Sequence, residues 1–192
     1  MLIGHKNHPE VIGTIGQLPI GSIDLIESID DVEKYKNSNK DIAYVTQTTL
    51  SVDDTKDIID KLKNKFPDIK EPKKDDICYA TTNRQEVTVK LAKKVDLILV
   101  VGASNSSNCN RLRDVSIQSG TKAYLINSYD EINPDWLKGI EKIGLTSGAS
   151  TPDKLVYEII KKLNPSNVYK FDDIDEDIKF EIPRKVKELL NE

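Results

Sequence analysis

Val95-Asp-Leu-Ile-Leu-Val-Val-Gly-Ala-Ser-Asn-Ser-Ser-Asn108 is the stretch on which the fold turns. Its five consecutive apolar residues, Leu97 to Val101, leave no polar face. A strand of this kind is covered on both sides, as in a parallel sheet with helices above and below. The glycine and the hydroxyl- and amide-bearing residues that follow read as a strand-to-helix turn. Shorter β-branched runs elsewhere read the same way: Met1–Gly4, Ile23–Ile26, Ile42–Thr46, Ala123–Ile126 and Ile143–Thr146. Amphipathic helices lie between them. Ile58, Ile59, Leu62 and Phe66 mark one, Val87, Leu91 and Val95 the end of another, and Leu155, Val156, Ile159, Ile160 and Leu163 the last. The expected fold is α/β, two consecutive small modules with parallel sheets and flanking helices.

Lys63 to Asp76 carries Pro67 and Pro72 in a run of charges and separates two αβ series, which predicts modules over residues 1–74 and 75–164. Residues 165–192 hold eight acids and five bases, with Asp172, Asp173, Asp175, Glu176 and Asp177 close together. They are expected to form an acidic, solvated C-terminal tail.

The 192 residues carry 28 basic and 32 acidic side chains, a net charge of −4, with 38% hydrophobic and 31% charged residues. This is the profile of a soluble cytoplasmic protein, without the basic footprint of a general nucleic-acid binder. No apolar run approaches the roughly 20 residues that span a bilayer, and Met1-Leu2-Ile3 is too short for a signal peptide. A chain that starts on apolar residues reads as starting inside a strand, a hint of missing upstream chain. Two cysteines, Cys78 and Cys109, exclude a disulfide framework and a four-cysteine metal site.

Polar residues gather after the strands: Gln47-Thr-Thr-Leu-Ser51, Gly102-Ala-Ser-Asn-Ser-Ser-Asn108 and Thr146-Ser-Gly-Ala-Ser-Thr-Pro152. Ser51-x-x-Asp54 and Thr82-x-x-Gln85 fit a capping box, and Pro152 suits the first turn of a helix. Any one such turn is explained by capping. Several at one sheet edge, where free helix N–H groups converge, suit a phosphate-sized anion. No turn matches a nucleotide-binding loop. His5, His8 and Glu10 follow the first strand and read as a metal cluster, an acid–base pair or a surface turn, the turn being the plainest. Cys78 lies at a helix start, where a thiolate is stabilised, and Cys109 lies in another. A buried, inert thiol is the plain expectation for each.

Five stretches in register resemble the IspH (LytB) family, the 4-hydroxy-3-methylbut-2-enyl diphosphate reductases. They are Gly4-His-Lys-Asn-His-Pro-Glu10, Thr46-Gln-Thr-Thr-Leu-Ser51, Asp75-Asp-Ile-Cys-Tyr-Ala-Thr-Thr-Asn-Arg-Gln85, Asn105-Ser-Ser-Asn108 with Arg111-Leu112, and Gly144-Leu-Thr-Ser-Gly-Ala-Ser-Thr-Pro152. The resemblance implies three α/β modules around a [4Fe–4S] cluster held by three cysteines. The reaction it implies is reductive removal of the substrate's hydroxyl to give isopentenyl and dimethylallyl diphosphate, the last step of the methylerythritol phosphate route. It implies a ferredoxin- or flavodoxin-type electron donor. Carried over by motif, Cys78 is a cluster ligand with Thr81 near the cluster, Glu10 the proton donor, and Thr48 its relay beside the substrate oxygen. His8, Ser106, Ser107, Asn108 and Ser150 resemble the diphosphate clamp, and Cys109 matches no ligand position. In the family, two more cluster cysteines and two more histidines precede the part matched here. The expectation is therefore the C-terminal two-thirds of a reductase, inactive alone, with a separate chain as one source of the missing module. The competing readings are a cluster-free diphosphate-binding module and a non-functional remnant.

Overall fold

The computed structural model describes residues 1–36, 41–73, 76–171 and 182–190. Six strands are present: β1 (Leu2–Ile3), β2 (Leu25–Ile26), β3 (Val45–Thr46), β4 (Leu97–Val101), β5 (Lys122–Ile126) and β6 (Ile143–Ser147). The helices are α1 (Pro9–Ile15), α2 (Ile29–Lys34), α3 (Val52–Lys65), α4 (Tyr79–Ala92), α5 (Ser107–Gln118), α6 (Asp153–Leu163) and α7 (Arg184–Leu190). The strands form two three-stranded, wholly parallel sheets, ordered β2-β1-β3 and β5-β4-β6. No described helix is long and apolar enough to cross a membrane.

The central strand β4 accounts for the second sheet. All five of its residues are fully buried, and because successive side chains of a strand alternate they serve two cores. Ile98 and Val100 pack with Leu112 and Cys109 of α5 and with Ala92 of α4. Leu97, Leu99 and Val101 pack with Ile126, Ile132 and Ile159, and with the half-buried Tyr124 and Trp136. Each such side chain contributes about 1.5–3 kcal/mol by leaving water. The register, Leu97 beside Lys122 and Ile143 through to Val101 beside Ile126 and Ser147, brings all three carboxyl ends to one edge.

The first sheet is narrower. Its core is Ile3, Ile26, Val32, Tyr44, Leu50, Ile58, Leu62 and Ile69. The charged, proline-bearing stretch after α3 contributes to it: Ile69 is buried, and Lys70 pairs with Ala43 just before β3. Ser28 and Asp31 close a reciprocal capping box on α2.

Three local expectations are corrected. Thr82-x-x-Gln85 is not a capping box. α4 starts earlier, with Cys78 at its N-cap and no side chain capping it, because Gln85 is engaged elsewhere. The buried stripe of α4 is Thr81, Gln85, Thr88 and Ala92; of the expected residues Val87 is only half-buried, while Leu91, and Val95 from beyond the helix, are half-buried and pack against the core of Ile98, Val100 and Leu112. Pro152 sits at the N-cap of α6 rather than within its first turn. The acidic run Asp172 to Asp177 lies outside the described residues, as does Asp75.

Asp96, just before β4, accepts hydrogen bonds from the amides of Lys142 (2.9 Å) and Glu141 (3.1 Å) and so ties the start of β4 to the start of β6. Those amides, Lys142 first, hold its carboxyl below the ordinary 3.8. A lowered folded-state pKa stabilises the fold above the unfolded value and loses that contribution as pH falls through the folded one. Asp96→Asn is therefore expected to lower the melting temperature at pH 7, with the gap to the parent narrowing as acid titrates through and below 3.8. A gap that widens in acid contradicts the assignment.

Candidate functional site

β1 delivers the turn Gly4 to Asn7, which closes through the His8 amide on the His5 carbonyl (3.1 Å) with Asn7 in the left-handed region (φ 69°). His8 is then the N-cap of α1. Its Nδ1 accepts from the Glu10 amide at 3.3 Å, so in the neutral ring the proton resides on Nε2. That Nε2 lies 2.6 Å from Ser107 Oγ, 99 residues away, and with this tautomer it donates, leaving the Ser107 hydroxyl hydrogen free.

Glu10, the second residue of the same short helix, faces the turn after β3. The Thr48 amide donates to Glu10 Oε1 at 2.8 Å and the Thr48 hydroxyl to Oε2 at 3.1 Å. The Thr48 carbonyl in turn accepts from the Cys78 amide at 3.1 Å. Glu10, Thr48 and Cys78 therefore form one unbroken chain of hydrogen bonds. Gln47 backs it: its Oε1 accepts from the His5 amide and its Nε2 donates to Thr49 Oγ1, both at 3.0 Å. Asp76 Oδ2 accepts from the Thr46 amide at 3.0 Å.

Ser106 caps α5, its Oγ accepting from the Cys109 amide at 3.3 Å. Asn108 is 92% buried by its 8% exposure, yet neither its Nδ2 nor its Oδ1 has a partner. A buried amide left unsatisfied costs about 1–3 kcal/mol, and such a group is the mark of a polar ligand or water. The turn after β6 lies against it: a Cβ on Gly148 would stand 3.8 Å from Asn108 Nδ2. Ser150 is exposed in that turn, and among the described residues no hydrogen bond joins it to the other candidates.

The two cysteines part company. Cys78 is exposed, contrary to the expectation of a buried thiol, and Cys109 is buried. Cys109 Sγ fills the space beside Gly102 and Gly148, where any Cβ would collide with it. Thr81 is buried, its amide bonded to the Cys78 carbonyl at 2.7 Å. The cluster implied by the resemblance can be tested against this geometry. The chain has two cysteines in all. One is packed under glycines, and among the described residues no three His, Cys, Asp or Glu side chains converge as a metal site. A four-iron cluster does not fit the residues of this chain alone.

His8, Ser107, Asn108, Glu10, Thr48 and Cys78 are thus brought together by two sheet edges. Gln47, Asp76 and Gln85, which hold those loops, were not singled out as supports by the sequence. Their partners are 30 or more residues away, except Thr49. A pocket of about 270 Å³ lined by His5, Leu50, Asp54 and Arg111, among others, does not include these candidates.

A model of the family described as LytB protein matches residues 1–164. The 4-hydroxy-3-methylbut-2-enyl diphosphate reductase of Mannheimia succiniciproducens is 47% identical over 193 residues, covering 97% of this chain and 62% of that protein. The enzyme of the same name from Wigglesworthia glossinidia brevipalpis is 48% identical over 194 residues, with the same coverage. The solved structure of the E-1-hydroxy-2-methyl-but-2-enyl-4-diphosphate reductase from Plasmodium falciparum superposes with a TM-score of 0.89 at 40% identity, over 99% of this chain and 61% of that one. The chain spans about three-fifths of the length of the relatives it matches.

The packing of Cys109 makes a separable prediction. Gly148→Ala is expected to destabilise the fold by about 1–3 kcal/mol through overpacking. Cys109→Ala in that background should recover part of the loss, since the remaining close neighbour is Thr151 Oγ1 at 3.2 Å. Additive losses in denaturant unfolding would show that the two sites do not share this space.

Proposed function

The chain belongs to the LytB protein family, and from that premise we propose that it binds the diphosphate and delivers the proton for reductive dehydroxylation of (E)-4-hydroxy-3-methylbut-2-enyl diphosphate. The observation that carries the reading is Asn108, buried with both polar atoms unpaired at the start of a 12-residue helix. Beside it, Ser107 presents a free hydroxyl hydrogen, with His8 Nε2–H behind it. Amide, hydroxyl and helix N-terminus together offer donors to an anion. Each charge-assisted bond is worth about 1.5–3 kcal/mol. Ser106 and Ser150 flank this clamp.

Glu10 and Thr48 supply the proton path. A proton held on Glu10 reaches the substrate's oxygen through the Thr48 hydroxyl, 3.1 Å away, which gives one proton as it takes another. Cys78, exposed and tied to Thr48, is the sulfur this chain offers to an iron–sulfur cluster. The chain's own residues do not complete that ligand set, so its part is binding and proton delivery. Turnover to isopentenyl and dimethylallyl diphosphate then requires a source of further thiolates and a ferredoxin- or flavodoxin-type electron donor. The single available thiol also favours a second reading, a module that binds a diphosphate and never reduces it.

Calorimetry with the substrate diphosphate and with pyrophosphate tests the reading. Binding is expected, and Asn108→Ala should weaken it about tenfold or more, as the loss of a buried donor to an anion implies. No heat and no thermal shift at millimolar ligand would remove the proposal. Anaerobic reconstitution with iron and sulfide should give reductase activity only when a chain bearing further cysteines is present. Binding without activity under any such pairing would favour the second reading.

A further inference from the structure

Gln85 is 5% exposed and sits in the interior of α4. Its side chain leaves its own helix entirely. Nε2 donates to the Leu50 carbonyl at 2.9 Å and Oε1 accepts from the Val52 amide at 3.3 Å. A carbonyl can only accept and an amide N–H can only donate, so the two partners fix the orientation of the side-chain amide. Val52 is the first residue of α3, whose leading N–H groups have no partner within their own helix. Ser51 Oγ serves the Asp54 amide, and Gln85 serves that of Val52 from another helix.

Cys78 and Gln85 are seven residues apart, two turns of α4, and therefore share one face about 10 Å apart along the axis. That face meets the segment Thr48 to Val52 at both ends. The Cys78 amide binds the Thr48 carbonyl at one end, and Gln85 grips Leu50 and Val52 at the other. The single bond at Thr48 lies at an exposed helix start, where bonds open readily, whereas of the Gln85 pair the bond to Leu50 is buried and that to Val52 partly so. We propose that Gln85 is a positioning residue: by clamping the Leu50–Val52 turn to α4 it holds the Cys78 end of the helix in register with Thr48 and Glu10. The positioning role for the reaction rests on the reading that those three residues serve one site, while the clamp itself does not.

Amide hydrogen exchange on the full chain, read as protection factors, tests it. Gln85→Leu keeps the bulk and removes both bonds. It should lower protection at Cys78 and Val52 at least tenfold while leaving the β4 amides, Leu97 to Val101, unchanged. Gln85→Glu gives a second handle. As a neutral acid it can donate to Leu50 and accept from Val52 as the amide does. As a carboxylate it faces a carbonyl with no hydrogen to offer. Burial raises a carboxyl's pKa, so this variant should match the parent at pH 5 and Gln85→Leu at pH 8. Unchanged protection at Cys78 in Gln85→Leu overturns the proposal. So does an equal loss across both sheets, which marks a role in overall stability only. Should Gln85→Leu fail to fold, the absence of any pH-dependent recovery at Cys78 in Gln85→Glu overturns it equally. Diphosphate binding by the parent is scored separately, so failure of the functional reading remains distinct from failure of the clamp.

Discussion

Every hydrogen-bonding group of Thr48 is committed, and the site depends on where they go. Its amide and hydroxyl both end on Glu10, and its carbonyl takes the amide of Cys78. One residue of an irregular turn thus joins a carboxylate carried by α1 to a thiol carried by α4. A backbone carbonyl cannot be exchanged by substitution, so the link to Cys78 survives any side chain at 48 that keeps the turn. The link to Glu10 is half backbone and half hydroxyl. Loss of the hydroxyl would leave the Glu10 carboxyl held by a single amide and the proposed proton path without its middle member.

This arrangement is possible because both sheets are parallel. Parallel strands send all their carboxyl ends to one edge, and the β4 register puts the turns after Val101 and Ser147 beside each other. The second core packs deeply beneath that edge. β4 is buried on both faces, and Cys109 from α5 wedges between the glycines that follow β4 and β6. The first sheet has two-residue strands and less core. It is held at its site end by side chains instead, Gln47 and Asp76 satisfying backbone groups that a longer sheet would have satisfied itself and Gln85 those of Leu50 and Val52 at the start of α3.

Strand β4 was legible because burial on both faces forces an unbroken apolar run from Leu97 to Val101. Helix α4 was read poorly for the opposite reason. Its fully buried stripe is Thr81, Gln85, Thr88 and Ala92, so most of the 3.6-residue periodicity is present in burial but absent in hydropathy, and only Leu91 of the apolar residues read within the helix packs against the core. Helices α1 and α2, at seven and six residues, are too short to show a period at all. At the site, the residue types were legible, because Ser, Thr and Asn after a strand serve either a cap or an anion. Their sorting was not. Ser106 caps its helix while Asn108 is left unpaired two positions later, and only the folded geometry distinguishes them. The His8–Ser107 bond spans 99 residues and has no local trace.

The two cysteines bring these threads together. Both stand at helix starts, and sequence position alone would rank them equally. Cys109 lies inside the first turn of α5 and points into the sheet, where two glycines make room for its sulfur and exclude everything else. Cys78 stands one position before its helix, its amide fixed by Thr48 and its side chain making no capping bond, so the sulfur is left facing outward. A sulfur that is exposed while its backbone is anchored can meet an incoming metal or electrophile without reorganising the chain. A sulfur that serves as packing cannot move without opening a cavity. The difference lies in helix position, N-cap against third helical residue, and in one backbone hydrogen bond, and it leaves Cys78 the exposed thiol of the two.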